Sequence, residues 1–244
     1  MNNQNYHNWN QMQTDATSTD SGAVASKTFM TQVFGWMSGA LIITALTSYL
    51  FGMVPELTEL LINETGFTVL GWIVMFAPLG FVFLIMLGLN KMPFPMLIAS
   101  FLLYSAINGM SFSFIFLVYD LGSIGATFLI AAGMFGTMAV MGFITKADLS
   151  GFGRIMMMGV IGLVIAMVVN MFMRSEMMGY IISLIGVAVF TGLTAYDVQK
   201  LKQLGATQND GSVAARYSIL GALTLYLDFI NLFLFLLRLM GNRK

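Results

Sequence analysis

Two carboxylates are the side chains of this sequence best suited to chemistry inside a membrane. Asp197 stands in Ala195-Tyr196-Asp197-Val198-Gln199-Lys200 and Asp228 in Leu225-Tyr226-Leu227-Asp228-Phe229-Ile230-Asn231, each inside or at the edge of a long apolar run. An aspartate at the centre of a bilayer helix costs about 2.5–3.5 kcal/mol on insertion scales, so both are expected to face protein or water and to serve a purpose. Two acids that meet in a low dielectric do not both ionise cheaply, and a narrow polar interior that holds them is an arrangement in which a proton or cation could be handled. The alternative is that Asp228 is interhelical glue bonded to Asn, Tyr or Thr neighbours, and that Asp197 reaches water from the end of its helix.

The elements that carry these acids follow from composition. Of 244 residues, 58% are hydrophobic and 9% charged, against roughly 25% charge in a soluble domain. The chain reads as an all-α integral membrane protein. A spanning helix needs about 20 apolar residues, and seven such stretches occur, at roughly 28–51, 67–90, 94–118, 122–145, 154–173, 177–199 and 216–240. They are continuously apolar rather than alternating, which favours helices over a membrane β-barrel. The expected architecture is a compact seven-helix bundle over 27–244, with linkers too short for a second folded domain.

Counting at 3.6 residues per turn places Tyr217, Gly221, Thr224, Asp228 and Asn231 on one stripe of the seventh predicted helix. The sixth offers Ser183, Gly186, Phe190, Thr194 and Asp197, and the third Tyr104, Ser105 and Asn108. Converging, these faces make one narrow polar interior, in which Asp228 is the expected partner of Asn231 and Thr224. Depth presents a difficulty. Asp197 ends its apolar run, whereas Asp228 lies about twelve residues, roughly 18 Å, into its own. Direct pairing requires the sixth helix to continue past Lys200 or the first turns of the seventh to protrude.

Residues 1–26 are crowded with Asn, Gln, Ser and Thr, contain the sole histidine, His7, and read as a disordered polar tail. No basic stretch precedes a short apolar run there, so the first span is expected to be uncleaved. Cys is absent, and one tail histidine builds neither the usual zinc site nor a Ser-His pair. Neither an enzyme nor a cofactor is expected. Eleven basic and eleven acidic residues cancel, with no basic run for nucleic acid. The 22 methionines, Met156-Met157-Met158 included, serve as flexible filler.

Glu56, Glu59, Glu64 and Asp120 mark external loops, while Lys91, Lys146, Arg154, Lys200, Lys202 and Arg216 mark cytoplasmic ones. This puts the N-terminus in the cytoplasm. Seven spans then export Arg238, Arg243 and Lys244 against the rule, so the last segment is either re-entrant or a full span, and its length favours the latter. Gly35/Gly39, Ala132/Gly136 and Ala188/Gly192 are small pairs expected at tight helix crossings. Pro78 is expected to kink the second helix, and Pro93 and Pro95 to open the third.

Tyr196-Asp197, the gap of about 30 residues, the Leu225 to Phe233 run and the closing Leu236-Leu237-Arg238 resemble the bacterial branch of the transmembrane Bax inhibitor motif (Bax inhibitor-1) family, over about 28–240. The resemblance implies seven helices with the last one central, in a bacterial inner membrane. It also implies a pH-sensitive calcium leak in which the acids at Asp197 and Asp228 share a proton and hold the pore closed, their protonation setting whether they repel, share a hydrogen bond or attract Ca²⁺. Calcium takes six to eight oxygens, which Asp197, Asp228, Asn231, nearby hydroxyls, carbonyls and water supply only loosely, so the implied metal site at Asp197 and Asp228 is weak and compatible with passage. Calcium ions, protons and lipid are then the partners. In some members a basic residue ending the second helix engages the acids, and Lys91 stands nearest that place. Tyr196, Asn108, Thr224 and Asn231 are the supporting polar candidates. A regulatory protein that restrains a membrane-bound protease is the alternative from the same resemblance. An intramembrane aspartyl protease also sets Tyr-Asp on one helix and Asp on the next, but here Tyr226-Leu227 replaces the Gly-x-Gly approach and Pro-Ala-Leu is missing. A retinal protein needs a lysine in the last helix, and 216–240 has none.

Overall fold

The computed structural model describes the backbone of residues 3–244 apart from Thr65, Asn90 and Asn209, and the side chains of residue 22 and residues 24–244 with the same exceptions. The side chains of most of the 1–26 tail therefore lie outside the described residues, that of His7 included. Ser26 is described, and is buried with its hydroxyl donating to the carbonyl of Lys202 at 2.8 Å.

Among the described residues, seven long apolar helices cross the molecule. They are α1 (Asn3–Met53, spanning from Val24), α3 (Val69–Gly88), α4 (Phe94–Phe112) with its continuation α5 (Ile115–Val118), α6 (Leu121–Ile144), α7 (Ser150–Met173), α8 (Glu176–Thr207) and α9 (Gly211–Met240). Between α1 and α3 lie the short α2 (Pro55–Glu59) and a two-residue hairpin, β1 (Ile62–Asn63) with β2 (Gly66–Phe67), in which Ile62 faces Phe67. Gly66 at φ 112° supplies the turn that a side chain would resist. Glu56, Glu59 and Glu64 all point outward from this connection.

Helix ends follow local chemistry. The Thr68 hydroxyl caps α3 by accepting from Gly71 N at 3.0 Å, and Ser175 caps α8 by accepting from Met178 N at 3.2 Å. Pro93 stands at the N-cap of α4 with Pro95 in its first turn, where the missing N–H is not needed. Pro78 lies inside an uninterrupted α3. The last two helices run further than the apolar count suggests, α8 to Thr207 and α9 back to Gly211. Charge ended the apolar run at Lys200 without ending the helix, because long side chains bury their stems and deliver their ends to polar atoms. Lys202 does so, its Nζ donating to Phe143 O at 2.7 Å and standing 4.9 Å from the Phe143 ring.

The last helix is the hub. In the apolar stretch of α9, 72% of residues are buried, against 50% in α8 and 11–39% in the rest, so α9 is the most enclosed helix, packed against α1, α4, α6 and α8. At one end of the bundle the start of α1, the ends of α3, α6 and α8 and the start of α9 are tied together. There Gln199 Nε2 donates to Ala147 O at 2.8 Å and its Oε1 accepts from Leu149 N at 2.9 Å, while Arg216 Nη1 donates to Leu89 O and Met92 O at 2.9 and 2.7 Å. At the other end the residues after α9 lie along α5 and the start of α6: Lys244 N donates to Val118 O at 3.0 Å and Asp120 N to Asn242 O at 3.1 Å. Segment seven is therefore a full span and not re-entrant.

Two of the expected small-residue pairs do not sit at crossings. A methyl at Gly35, Gly39 or Gly136 would meet nothing within 4 Å, because the buried faces run through Val33, Met37, Ala40 and Thr44 on α1 and Ala131, Phe135, Ala139 and Gly142 on α6. Gly192 does make a close approach, to Phe152 and Met156 of α7. The tightest contacts fall on isolated glycines: Gly109 against Thr44 and Thr47, Gly71 against the Leu61 carbonyl, and Gly142 against the Ala195 carbonyl.

Candidate functional site

The α8–α9 seam is an antiparallel interlock at spacings of seven and four. Gly221, Asp228 and Phe235 of α9 lie on one face, seven residues apart, and meet Leu201, Asp197 and the Gly186/Phe190 pair of α8 in turn. A methyl at Gly221 would press on Leu201, and one at Gly186 on the Phe235 ring. The glycines thus let the helices approach, and the approach brings the carboxyls of Asp197 and Asp228 side by side within hydrogen-bonding reach. The depth difficulty disappears because α8 continues past Lys200 and the α8–α9 hairpin extends beyond the apolar runs.

The two acids differ in surroundings. Both are buried, Asp197 at 8% exposure and Asp228 at 5%. Asp197 lines a cavity of about 500 Å³ with Lys200, Tyr217, Gly221 and Thr224, among others. The Lys200 ammonium is an opposing charge that acts on it. Asp228 does not line that cavity, and its Oδ2 is fully buried with no hydrogen-bond partner among the described residues. A buried carboxyl oxygen left this way is costly. Loop acids contrast with this pair. Hydrogen bonds from Ser150 hold the exposed Asp148 carboxyl below its ordinary range, and those from Ser212 do the same for Asp210.

The single polar interior expected from the stripes is divided into two. Tyr226 stands two positions before Asp228 and so points away from α8, into α1 and α4. Thr44 has one proton, which it gives to Ser105 O at 2.9 Å, so Tyr226 OH donates to Thr44 Oγ1 at 2.7 Å and accepts from Asn108 Nδ2 at 2.8 Å. Tyr104 packs edge-on to Tyr226 with ring centroids 5.5 Å apart. Asn108 therefore serves Tyr226 rather than the acids. Asn231 Nδ2 donates to Leu227 O at 2.8 Å and Thr224 Oγ1 to Leu220 O at 3.1 Å. The expectation that these two partner Asp228 is corrected: carbonyls of their own helix, one turn back, are the nearer acceptors. Tyr196 turns to α7, where its ring fills the space beside Gly153, and Lys200 Nζ stands 5.9 Å from that ring. Lys91 is exposed just past α3. The basic group bound at the end of α3 is instead Arg216, through Leu89 O and Met92 O.

Thr44, Lys200 and Arg216 are the polar groups that sequence reasoning did not single out here. Thr44 had a signal, since it continues the Val33, Met37, Ala40 period of α1 and a polar residue on a buried face needs a partner. Lys200 and Arg216 read only as loop charge. The acid pair supplies two carboxylates, and among the described residues no group of three or more His, Cys, Asp or Glu side chains could hold a metal.

Comparison with known proteins accords with this architecture. The inner membrane protein YbhL of Escherichia coli is 46% identical over 220 residues, 89% of this chain and 93% of that protein. The uncharacterized protein RP147 of Rickettsia prowazekii is 39% identical over 216 residues, covering 88% and 90%. YrjE of Lactococcus lactis, also uncharacterized, is 37% identical over 215 residues, covering 87% and 90%. The family model for the inhibitor of apoptosis-promoting Bax1 matches residues 26–244. With seven spans, a central last helix and this match along nearly its whole length, the chain is an integral membrane protein of the Bax inhibitor-1 family.

Proposed function

We propose that this protein is a pH-sensitive leak for calcium, gated by Asp197 and Asp228. The observation that carries the reading is the apposition of two buried carboxyls across the α8–α9 seam, one opening on a cavity and the other with an unpartnered oxygen. A proton shared between them turns repulsion into a hydrogen bond and holds the seam together. Its loss leaves two negative charges in a low dielectric, which loosens α8 against α9 and offers Ca²⁺ two carboxylates. Hydroxyls, carbonyls and water complete the shell loosely, as a conducted ion requires. Calcium is cargo here, and the chain acts without catalysis.

The test is calcium flux into liposomes holding the purified protein, followed against pH. Flux is expected to rise with pH, because deprotonation opens the seam. Lost competition between protons and Ca²⁺ acts in the same direction, and calcium binding measured in parallel separates the two. Asp197→Asn or Asp228→Asn, each preserving size and hydrogen bonding, should flatten the profile while the protein stays folded. If both variants keep the parent profile the shared-proton gate is wrong. Without flux in any preparation, a regulatory protein that modulates a membrane-bound protease becomes the better account.

A further inference from the structure

A second polar site lies at the opposite end of the bundle from the Asp197 cavity. Arg174, which follows α7 directly, Arg238 in the last turn of α9, and Arg243 beyond it all line one cavity of about 770 Å³. Three guanidiniums so placed repel one another. Glu176 is the one acid on the same wall, yet among the described residues none of the three arginines makes an ion pair or a side-chain hydrogen bond.

The placement is structurally specified. Arg174 takes the left-handed backbone conformation, φ 51°, unusual for a residue with a side chain. This follows the end of α7, where Arg174 N donates to Asn170 O at 2.7 Å and Asn170 Oδ1 accepts from Ser175 N at 3.1 Å. Arg238 lies in a notch of α8 that exists because residue 179 is glycine, for a methyl there would collide with its guanidinium. The other walls are apolar and face outward: Met171 is 65% exposed, Met177 75% and Tyr180 58%. Arginines at the end of the spans with exposed apolar side chains alongside match a molecule that carries an anionic head and acyl tails.

We propose that the cavity walled by Arg174, Arg238 and Arg243 binds the phosphate headgroup of an anionic phospholipid in the leaflet at that end, with its chains lying on Met171, Met177 and Tyr180. A free anion would satisfy the arginines and leave the apolar walls unused. The site is separate from the acid pair and stands or falls independently of calcium flux.

The experiment is native mass spectrometry and thermal unfolding of the full chain in detergent, titrated with dioleoylphosphatidylglycerol, dioleoylphosphatidylcholine or inorganic phosphate. Phosphatidylglycerol is expected to remain bound and to raise Tm, while the other two do neither. Each arginine neutralised should weaken phosphatidylglycerol binding about fivefold, so R174Q/R243Q should lose about 25-fold. R174K/R243K should retain most of the binding, which guards against misfolding as the cause, and K27Q/K91Q at the far end should bind like the parent. Equal retention of the two lipids, or unchanged phosphatidylglycerol affinity in R174Q/R243Q, overturns the proposal. A shift reproduced by inorganic phosphate alone overturns it as well, in favour of a small-anion site.

Discussion

Tyr226 and Asp228 are two residues apart on α9, and two positions turn a helix by roughly 200°. One therefore faces α1 and α4 while the other faces α8, and the neighbours decide what each does. Tyr226 is completely buried with both hydrogen-bonding roles of its hydroxyl used. Tyr226→Phe keeps the ring but leaves Asn108 Nδ2 without this acceptor and Thr44 Oγ1 without this donor. It is expected to cost about 1–3 kcal/mol, read as a lowered Tm in detergent, with the pH profile of calcium flux unchanged. A loss of the pH response in that variant would instead tie the tyrosine to the acids. Asp228→Ala does not strand Asn231 or Thr224, since both bond to carbonyls of their own helix.

Among elements, the closest approach is made where a glycine lies on a buried face, irrespective of paired small-residue motifs. Gly142 and Gly136 lie six residues apart on α6, and only the first meets a neighbouring backbone, at Ala195. Gly142→Ala should force α6 away from α8 just beyond the Asp197 turn and destabilise by about 1–3 kcal/mol. Gly136→Ala meets open space and loses backbone entropy in the unfolded chain, so its Tm should equal or exceed that of the parent. Paired unfolding curves distinguish the two sites. Equal losses would mean that the crossing at Gly142 is not tight.

At the scale of the whole molecule, an odd number of full spans sets the two described chain ends apart. Lys27 is exposed at the start of the first span, and Lys244 is tied to Val118 and Phe116 at the other end. The sequence has no cysteine, so Lys27→Cys and Lys244→Cys each introduce a single thiol. With the N-terminus cytoplasmic, an impermeant thiol reagent should label Lys244→Cys in intact cells and Lys27→Cys only after permeabilisation. Labelling of both from one side would exclude seven complete crossings. In that orientation Arg238, Arg243 and Lys244 would lie outside against the usual loop bias, where the residues after α9 are hydrogen-bonded to α5 and α6 and the arginines line their own cavity.

Seven spans, the helical class and the two acids were legible in the sequence because a bilayer imposes them one segment at a time. Length and hydropathy decide whether a stretch spans, and an aspartate in such a stretch is conspicuous wherever it faces. What each polar residue meets is a property of pairs of helices, and single-helix periodicity does not contain it. Only the tertiary structure showed that Asn108 belongs to Tyr226, that Asn231 and Thr224 turn inward to their own carbonyls, and that Arg216 rather than Lys91 binds the end of α3. The pairing of Asp197 with Asp228 likewise depended on two facts that hydropathy does not encode. One is that α8 outlasts its apolar run, and the other is that glycines at 186 and 221 let it close on α9. Helix ends are set by hydrogen bonds and caps rather than by apolarity, and crossings are set by which residue of a buried face lacks a side chain.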